Sequence, residues 1–178
     1  MVETFSINQM AKIGMFWGSS SQMTALASEI VKNEFESFDH QVESFDVRDG
    51  IDSLPEFKNV LIGCPTWNVG ELQDDWDMLF EDFKKISFTG VTGAFFGSGD
   101  QFGYSCNYLD AVGILAREFI EKGGNLVGKW PTEGYEFDES IALEDGKFLG
   151  LALDYDNQSS LSEERIKKWV HMIQSEFK

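Results

Sequence analysis

Apolar residues fall along this chain in short blocks, and the spacing between blocks changes from strand-like to helical. Ile13 to Phe16 is one such block, ending at Trp17-Gly18. Val60 to Ile62 and Ala94 to Phe96 are nearly all apolar, as strands covered on both faces by helices must be. Gln41 to Val47 reads as a further strand with Val42, Phe45 and Val47 as its apolar members, and Asp49-Gly50 marks the turn behind it. Between these blocks the apolar positions recur at three and four. Met23, Leu26, Ala27, Ile30 and Val31 predict one amphipathic helix, and Trp76, Leu79, Phe80 and Phe83 a second. Tyr108, Val112, Leu115, Ala116, Phe119 and Ile120 predict a third, stopped by Gly123-Gly124. Ile166, Trp169, Val170 and Ile173 lie on the core face of a last helix opened by Ser162-Glu163-Glu164. A fifth strand starts over Asn125 to Trp130 and continues over Phe148 to Leu153, with a segment rich in Gly, Glu and Asp between Pro131 and Lys147.

Strands alternating with helices imply right-handed crossovers and a doubly wound parallel sheet, an α/β fold. With 178 residues the chain is long enough for one domain with a sizeable core. The expected organisation is a flexible extension over residues 1–10 and one folded domain over 11–178. Met1 to Gln9 lacks the features of a signal peptide, and no apolar run is long enough to span a membrane. Acidic residues outnumber basic ones 31 to 14, a net charge of −17. That balance argues against nucleic acid and anionic membrane as partners and favours steering towards basic proteins. The two cysteines, Cys64 and Cys106, have no metal-site spacing and suggest no disulfide framework. His40 and His171, the only histidines, fall outside every loop that could carry chemistry, so no catalytic constellation assembles.

Those loops follow the strand ends. After the third strand come Gly63-Cys64-Pro65-Thr66-Trp67-Asn68-Val69-Gly70, and after the fourth Gly97-Ser98-Gly99-Asp100-Gln101-Phe102-Gly103-Tyr104. Each sets one large ring among glycines, which let backbone approach closely, so the pair suits a planar heterocycle. After the first strand Ser19, Ser20, Ser21, Gln22, Met23 and Thr24 lead into a helix. Free N–H groups and the positive end of a helix dipole there attract an anion, although an ordinary serine cap reads the same way. Trp76, Trp130 and Trp169 are assigned to the core.

The motifs Pro65-Thr66-Trp67-Asn68-x-Gly70-Glu71-Leu72-Gln73-x-Asp75-Trp76 and Gly97-x-Gly99-Asp100-Gln101-x-Gly103-Tyr104-x-x-Asn107 resemble the two isoalloxazine-binding loops of flavodoxins. The resemblance runs from about Lys12 to the C-terminus, and the 131–147 segment is similar to the insertion of the long-chain type. It implies a flavodoxin-like five-stranded sheet in the order 2-1-3-4-5, of which flavodoxin is itself a standard example, with the fifth strand interrupted. It implies bound FMN, with phosphate on Ser19 to Thr24, where Gln22 stands at a position usually held by glycine. Trp67 and Tyr104 are expected on the two faces of the flavin. The Asn68-Val69 peptide, freed by Gly70, would turn its carbonyl towards flavin N5. Thr66, Ser98, Gly99 and Asp100 are expected at the ring, with Gln101 beside Asp100, and Asn107 and Asp156 at the ribityl chain.

The function so implied is a low-potential one-electron carrier, not an enzyme, cycling mainly between semiquinone and hydroquinone and able to replace ferredoxin. Basic redox partners such as ferredoxin–NADP reductase and photosystem I are implied, as are a monomer and a cytoplasmic location, or the plastid stroma in an alga. Three readings compete: an NAD(P)H-dependent FMN or quinone reductase of the same fold, a flavin-free phosphoacceptor module, and an interaction protein that has lost FMN. The first needs space over the flavin that two flanking rings deny. The second needs an aspartate cluster that Asp46 and Asp100 do not supply.

Overall fold

In the computed structural model, which describes residues 10–178, strand β1 (Lys12–Trp17) is the centre from which the sheet grows. Helix α1 (Met23–Glu36) returns the chain to β2 (Gln41–Asp46), parallel to β1 with Phe16 beside Phe45. The chain then crosses to the other side of β1, where β3 (Asn59–Gly63) pairs in parallel with Ile62 beside Phe16. Every residue of β3 is buried, because helices cover both faces. Helix α2 (Asp74–Phe83) leads to β4 (Thr92–Ser98), and helix α3 (Asp110–Glu121) to β5 (Asn125–Leu126), giving the order β2-β1-β3-β4-β5. Val47, expected inside the second strand, instead opens a 3-10 turn whose start is capped by the Asp46 carboxylate.

The fifth strand is split, and its two halves lie against different parts of β4. β5 pairs with Thr92 and Gly93, whereas β9 (Leu151–Leu153) pairs with Phe96, Gly97 and Ser98. The segment between them is not plain sheet interruption. β6 (Trp130–Pro131), β7 (Leu143–Glu144) and β8 (Lys147–Phe148) form their own antiparallel sheet, so Trp130 and Phe148 leave the main sheet and pair with each other. Their apolar side chains bury against Tyr135 and Tyr108: the Trp130 indole N–H donates to the Tyr135 hydroxyl at 2.9 Å, and the Phe148 ring meets those of Tyr108 and Tyr135 edge-on. Helix α4 (Ser162–Ile173) closes the domain against α1.

Trp76 and Trp169 are fully buried and Trp130 nearly so, in agreement with their core assignment. Each buried indole also satisfies its N–H, Trp76 on the Gly63 carbonyl at 2.9 Å and Trp169 on that of Gly128 at 2.8 Å. A fully buried side chain of this kind contributes about 2–3 kcal/mol. The Trp76 bond also holds the start of α2 against the end of β3. Among the described residues no helix is long and apolar enough to cross a membrane, and no group of His, Cys, Asp and Glu is placed to hold a metal. Both cysteines are free, Cys64 buried and Cys106 exposed.

Candidate functional site

The loops leaving the C-terminal ends of β1, β3, β4 and β9 meet around a cleft of about 450 Å³. Ser21, Met23, Thr66, Trp67, Asn68, Ser98, Gly99, Asp100, Tyr104, Asn107 and Asp156 line it, joined by Pro65 and Tyr155. Ser19, Ser20, Gln22, Val69 and Gly70 belong to the same loops, and Thr24 to the first turn of α1, without lining the space. Trp67 and Tyr104 are 38% and 49% exposed, which for rings of this size on a cleft wall leaves apolar surface open to a ligand.

The serine loop departs from ordinary capping. Gln22, the N-cap of α1, has φ 66° and ψ −7°, the left-handed conformation that the missing glycine would adopt most readily. Its carbonyl still starts the helix, accepting from Leu26 N–H at 3.0 Å. No side chain caps the first turn, so the N–H groups at its start stay available. The Ser19 hydroxyl is buried without a partner among the described residues. Thr24 is buried, and its carbonyl accepts from Ser28 Oγ at 2.7 Å.

The β3 loop is a small closed ring of chain. Trp67 and Glu71 exchange both backbone hydrogen bonds, at 2.9 and 2.8 Å, and Asn68 Nδ2 donates to Glu71 Oε2 at 2.6 Å. Asn68 takes φ 44° and Gly70 φ 83°; a Cβ on Gly70 would lie 2.6 Å from the Asp110 carboxylate. Val69 points outwards, 70% exposed. The Thr66 hydroxyl accepts from Ala111 N–H at 3.1 Å, so it ties this loop to the start of α3 while its residue lines the cleft.

In the β4 loop Asp100 turns its carboxylate on its own chain. Bonds from Gly103 N–H at 2.7 Å and Phe102 N–H at 3.1 Å, with Asn157 Nδ2 at 2.9 Å, hold its pKa below the ordinary carboxylate value. Asp156 is shifted the other way, raised by desolvation and then by the neighbouring charges of Asp100 and Asp154. The Gln101 side chain is fully buried and faces away from the cleft, donating to Asp154 Oδ2 at 2.6 Å and accepting from Glu136 N–H at 2.6 Å. Asn107 Nδ2 is engaged by Asp110 at 2.9 Å.

A flavodoxin family model matches residues 15–169. The chain belongs to the flavodoxin family. A flavodoxin of Nostoc is 46% identical over 169 residues, which are 93% of this chain and 97% of that one. A Picosynechococcus flavodoxin is 47% identical, over 94% of this chain and 99% of its own. Among solved structures, a Fusobacterium nucleatum flavodoxin bound to flavin mononucleotide superposes with a TM-score of 0.91 at 31% identity, covering 95% of this chain and 100% of that one.

Within this flavodoxin site the sequence reading gave no role to three residues. Tyr155 lines the cleft, and burial pushes its pKa up, opposed by the neighbouring Ser162 hydroxyl. Its position just past a strand end is the signal that picked out Trp67 and Tyr104. Asp154, fully buried, accepts from Gln101, Asp156 and Asn157 and so joins the β4 and β9 loops. Gln73, 1% exposed, caps α2 and reaches Ser20 of the serine loop.

Proposed function

We propose that the cleft holds FMN non-covalently and that the chain is a low-potential one-electron carrier. One observation carries this reading: Trp67, Tyr104 and the uncapped start of α1 border a single cleft, which so combines large rings with free N–H donors. FMN, a flat aromatic ring on a chain ending in phosphate, has that distribution of chemistry. The fit is supported by the orphaned Ser19 hydroxyl, a buried group that costs about 1–3 kcal/mol unless a partner arrives.

The assigned roles follow. Ser19, Ser20, Ser21, Gln22, Met23 and Thr24 receive the phosphate through N–H and hydroxyl donors, aided by the helix dipole. Trp67 and Tyr104 cover the ring. Ser98, Gly99 and Asp100 lie at its polar edge, where the Gly99 carbonyl and Asp100 N–H are the backbone groups left for it, the Ser98 and Asp100 carbonyls, the Gly99 N–H and the Asp100 carboxylate being occupied within the protein. Thr66 braces the Trp67 loop, while Asn107 and Asp156 face the ribityl chain. Asn68, already left-handed beside Gly70, can present the Asn68-Val69 carbonyl to a protonated ring nitrogen.

When bound, FMN supplies two separable one-electron steps. The protein sets their potentials by binding each form differently, a tenfold weaker grip on a reduced form lowering its one-electron potential by about 59 mV. No Lys, Arg or His lines the cleft, Asp100 stays ionised beside it, and the whole chain carries −17. These charges disfavour the fully reduced, anionic flavin, whereas the Asn68 carbonyl favours the half-reduced form. The carrier therefore works mainly between those two forms and can replace ferredoxin. Its partners are basic redox proteins such as ferredoxin–NADP reductase and photosystem I, in the cytoplasm or the plastid stroma.

Titration of the FMN-free protein with FMN tests the site. Flavin fluorescence should be quenched with one equivalent bound, and NADPH should not be oxidised until a reductase is added. Unchanged fluorescence, or NADPH oxidation by the protein alone, would sink the proposal.

A further inference from the structure

We infer that Asp110 is a positioning residue for Asn107 on the cleft wall, and that through it the 131–147 segment helps to hold that wall. The inference rests on the FMN reading, which sets Asn107 at the ribityl chain, and assigns how that part of the site is built. Asp110 is the first residue of α3 and only 4% exposed, so its carboxylate must find its partners within the protein. The helix dipole favours a negative charge there, yet this carboxylate bonds outside its own helix.

Its two oxygens serve two parts of the chain. Oδ1 accepts from Ile141 N–H at 2.9 Å, and Oδ2 from Asn107 Nδ2 at 2.9 Å. A carboxylate only accepts, so it demands the NH2 side of the planar Asn107 amide and excludes the flipped orientation. Gly70 packs on the same pair: a Cβ there would lie 2.6 Å from Asp110 Oδ2 and 3.0 Å from Asn107 Nδ2. Asn107 lines the cleft, and it also borders a second hollow lined by Asp110, Asp138, Glu139, Ser140 and Ile141. It therefore stands between the cleft and the segment, with its amide fixed by Asp110.

The segment is fastened to α3 where Asp110 meets it. Asp110, Gly113 and Arg117 follow one another along one face of that helix. A Cβ on Gly113 would lie 2.6 Å from the Ala142 nitrogen, so the backbone of the segment rests directly on the helix. Arg117 Nε donates to the Ile141 carbonyl at 2.8 Å, and its Nη2 to that of Leu143 at 2.7 Å. Ile141 is thus held at its N–H by Asp110 and at its carbonyl by Arg117. Nearer the cleft loops, the Ser105 carbonyl accepts from Asp138 and Glu139 N–H at 2.9 and 3.0 Å. Removing the Arg117 guanidinium loosens Ile141, the residue that shares the Asp110 carboxylate with Asn107.

Comparison of riboflavin with lumiflavin, which keeps the ring but lacks the ribityl chain, isolates this effect. Dissociation constants of both ligands are measured for wild type, Asn107→Ala, Asp110→Asn, Arg117→Met, and the last two each combined with Asn107→Ala. Asn107→Ala should lower the riboflavin-to-lumiflavin affinity ratio by about fivefold, as for one ordinary hydrogen bond. In Asp110→Asn the new amide can keep Ile141 only by turning its NH2 on Asn107, which must then reverse, and can keep Asn107 only by opposing the Ile141 N–H. That variant should lower the ratio by about threefold, and Arg117→Met, which reaches only the segment, by about twofold. Neither should lower it further once Asn107 is gone. Loss of packing alone would weaken both ligands alike and leave the ratio where it was. An unchanged ratio in any of the three single variants, or the same fall with and without Asn107, would overturn the inference. If Asp110→Asn does not fold, the two Arg117→Met proteins decide on the same terms. Failure of wild type to bind any of FMN, riboflavin and lumiflavin would instead refute the cofactor reading itself.

Discussion

Replacing Gln22 by glycine should stabilise the protein, although glycine in or beside a helix usually does the opposite. The Gln22 side chain is exposed and makes no hydrogen bond, so nothing is lost when it is removed. Its backbone sits at φ 66°, where an L side chain costs about 1–2 kcal/mol. Glycine escapes that cost but gives up about 0.5–1 kcal/mol of extra chain entropy on folding. The difference leaves a net gain of up to about 1.5 kcal/mol, centred on about 0.75 kcal/mol. For a domain of this length that centre is a rise in Tm of roughly 1.5–3 °C. The assay is thermal and urea denaturation of the FMN-free protein, so that ligand binding does not enter, with Gln22→Ala as the control for losing the side chain alone. Gln22→Ala should match wild type or fall slightly below it. A Gln22→Gly protein no more stable than the alanine variant would refute the claim that torsion at this residue is strained.

Gly97→Ala should cost about 3 kcal/mol or more, or abolish folding, because its Cβ would lie 2.1 Å from the Cys64 carbonyl oxygen and 2.6 Å from Val112 Cγ2; denaturant midpoints check this. In a thiol titration of the native protein at pH 8, one equivalent should react rapidly, from exposed Cys106, and the second only on unfolding. Cys64 is buried and its thiol is pushed up to about 12. Asp156→Asn should stabilise the FMN-free protein at pH 7. A carboxylate whose folded pKa is raised costs stability above that value, so the advantage should shrink as pH falls and vanish below the ordinary value of 3.8. Asp100→Asn should do the reverse: its folded pKa is depressed, so its contribution is present above 3.8 and is lost as pH falls through the lower folded value. Urea midpoints from pH 3 to 7 separate the two.

How much of this was legible in the sequence depended on whether a residue's partner was local. β1, β3, β4 and the four long helices followed from apolar spacing, because burial on both sheet faces and on one helix stripe writes a period into the chain. The fifth strand followed in its outer pieces, Asn125–Leu126 and Leu151–Leu153, but not where those pieces stop. Trp130 and Phe148 are apolar wherever they pair, and periodicity says that they are buried without saying which sheet buries them. The cleft walls were readable for a related reason: Trp67 and Tyr104 stand out as large rings in glycine-bearing loops past strand ends. Asp154 and Gln73 look like any polar loop residue. Only the fold brings Gln101 to the first and Ser20 to the second, each across 53 residues of chain. Gln22 was legible as a departure from the flavodoxin pattern, but its left-handed torsion came only from the structure.

Stepwise reduction of the FMN-loaded protein, followed by its visible spectrum against potential, tests the electron-carrier account most directly. Asp100, the acidic surface and the Asn68 carbonyl should pull the two steps apart, so a half-reduced flavin should accumulate to most of the total before a second step at much lower potential. A single two-electron step, with no half-reduced flavin at any point, would contradict it.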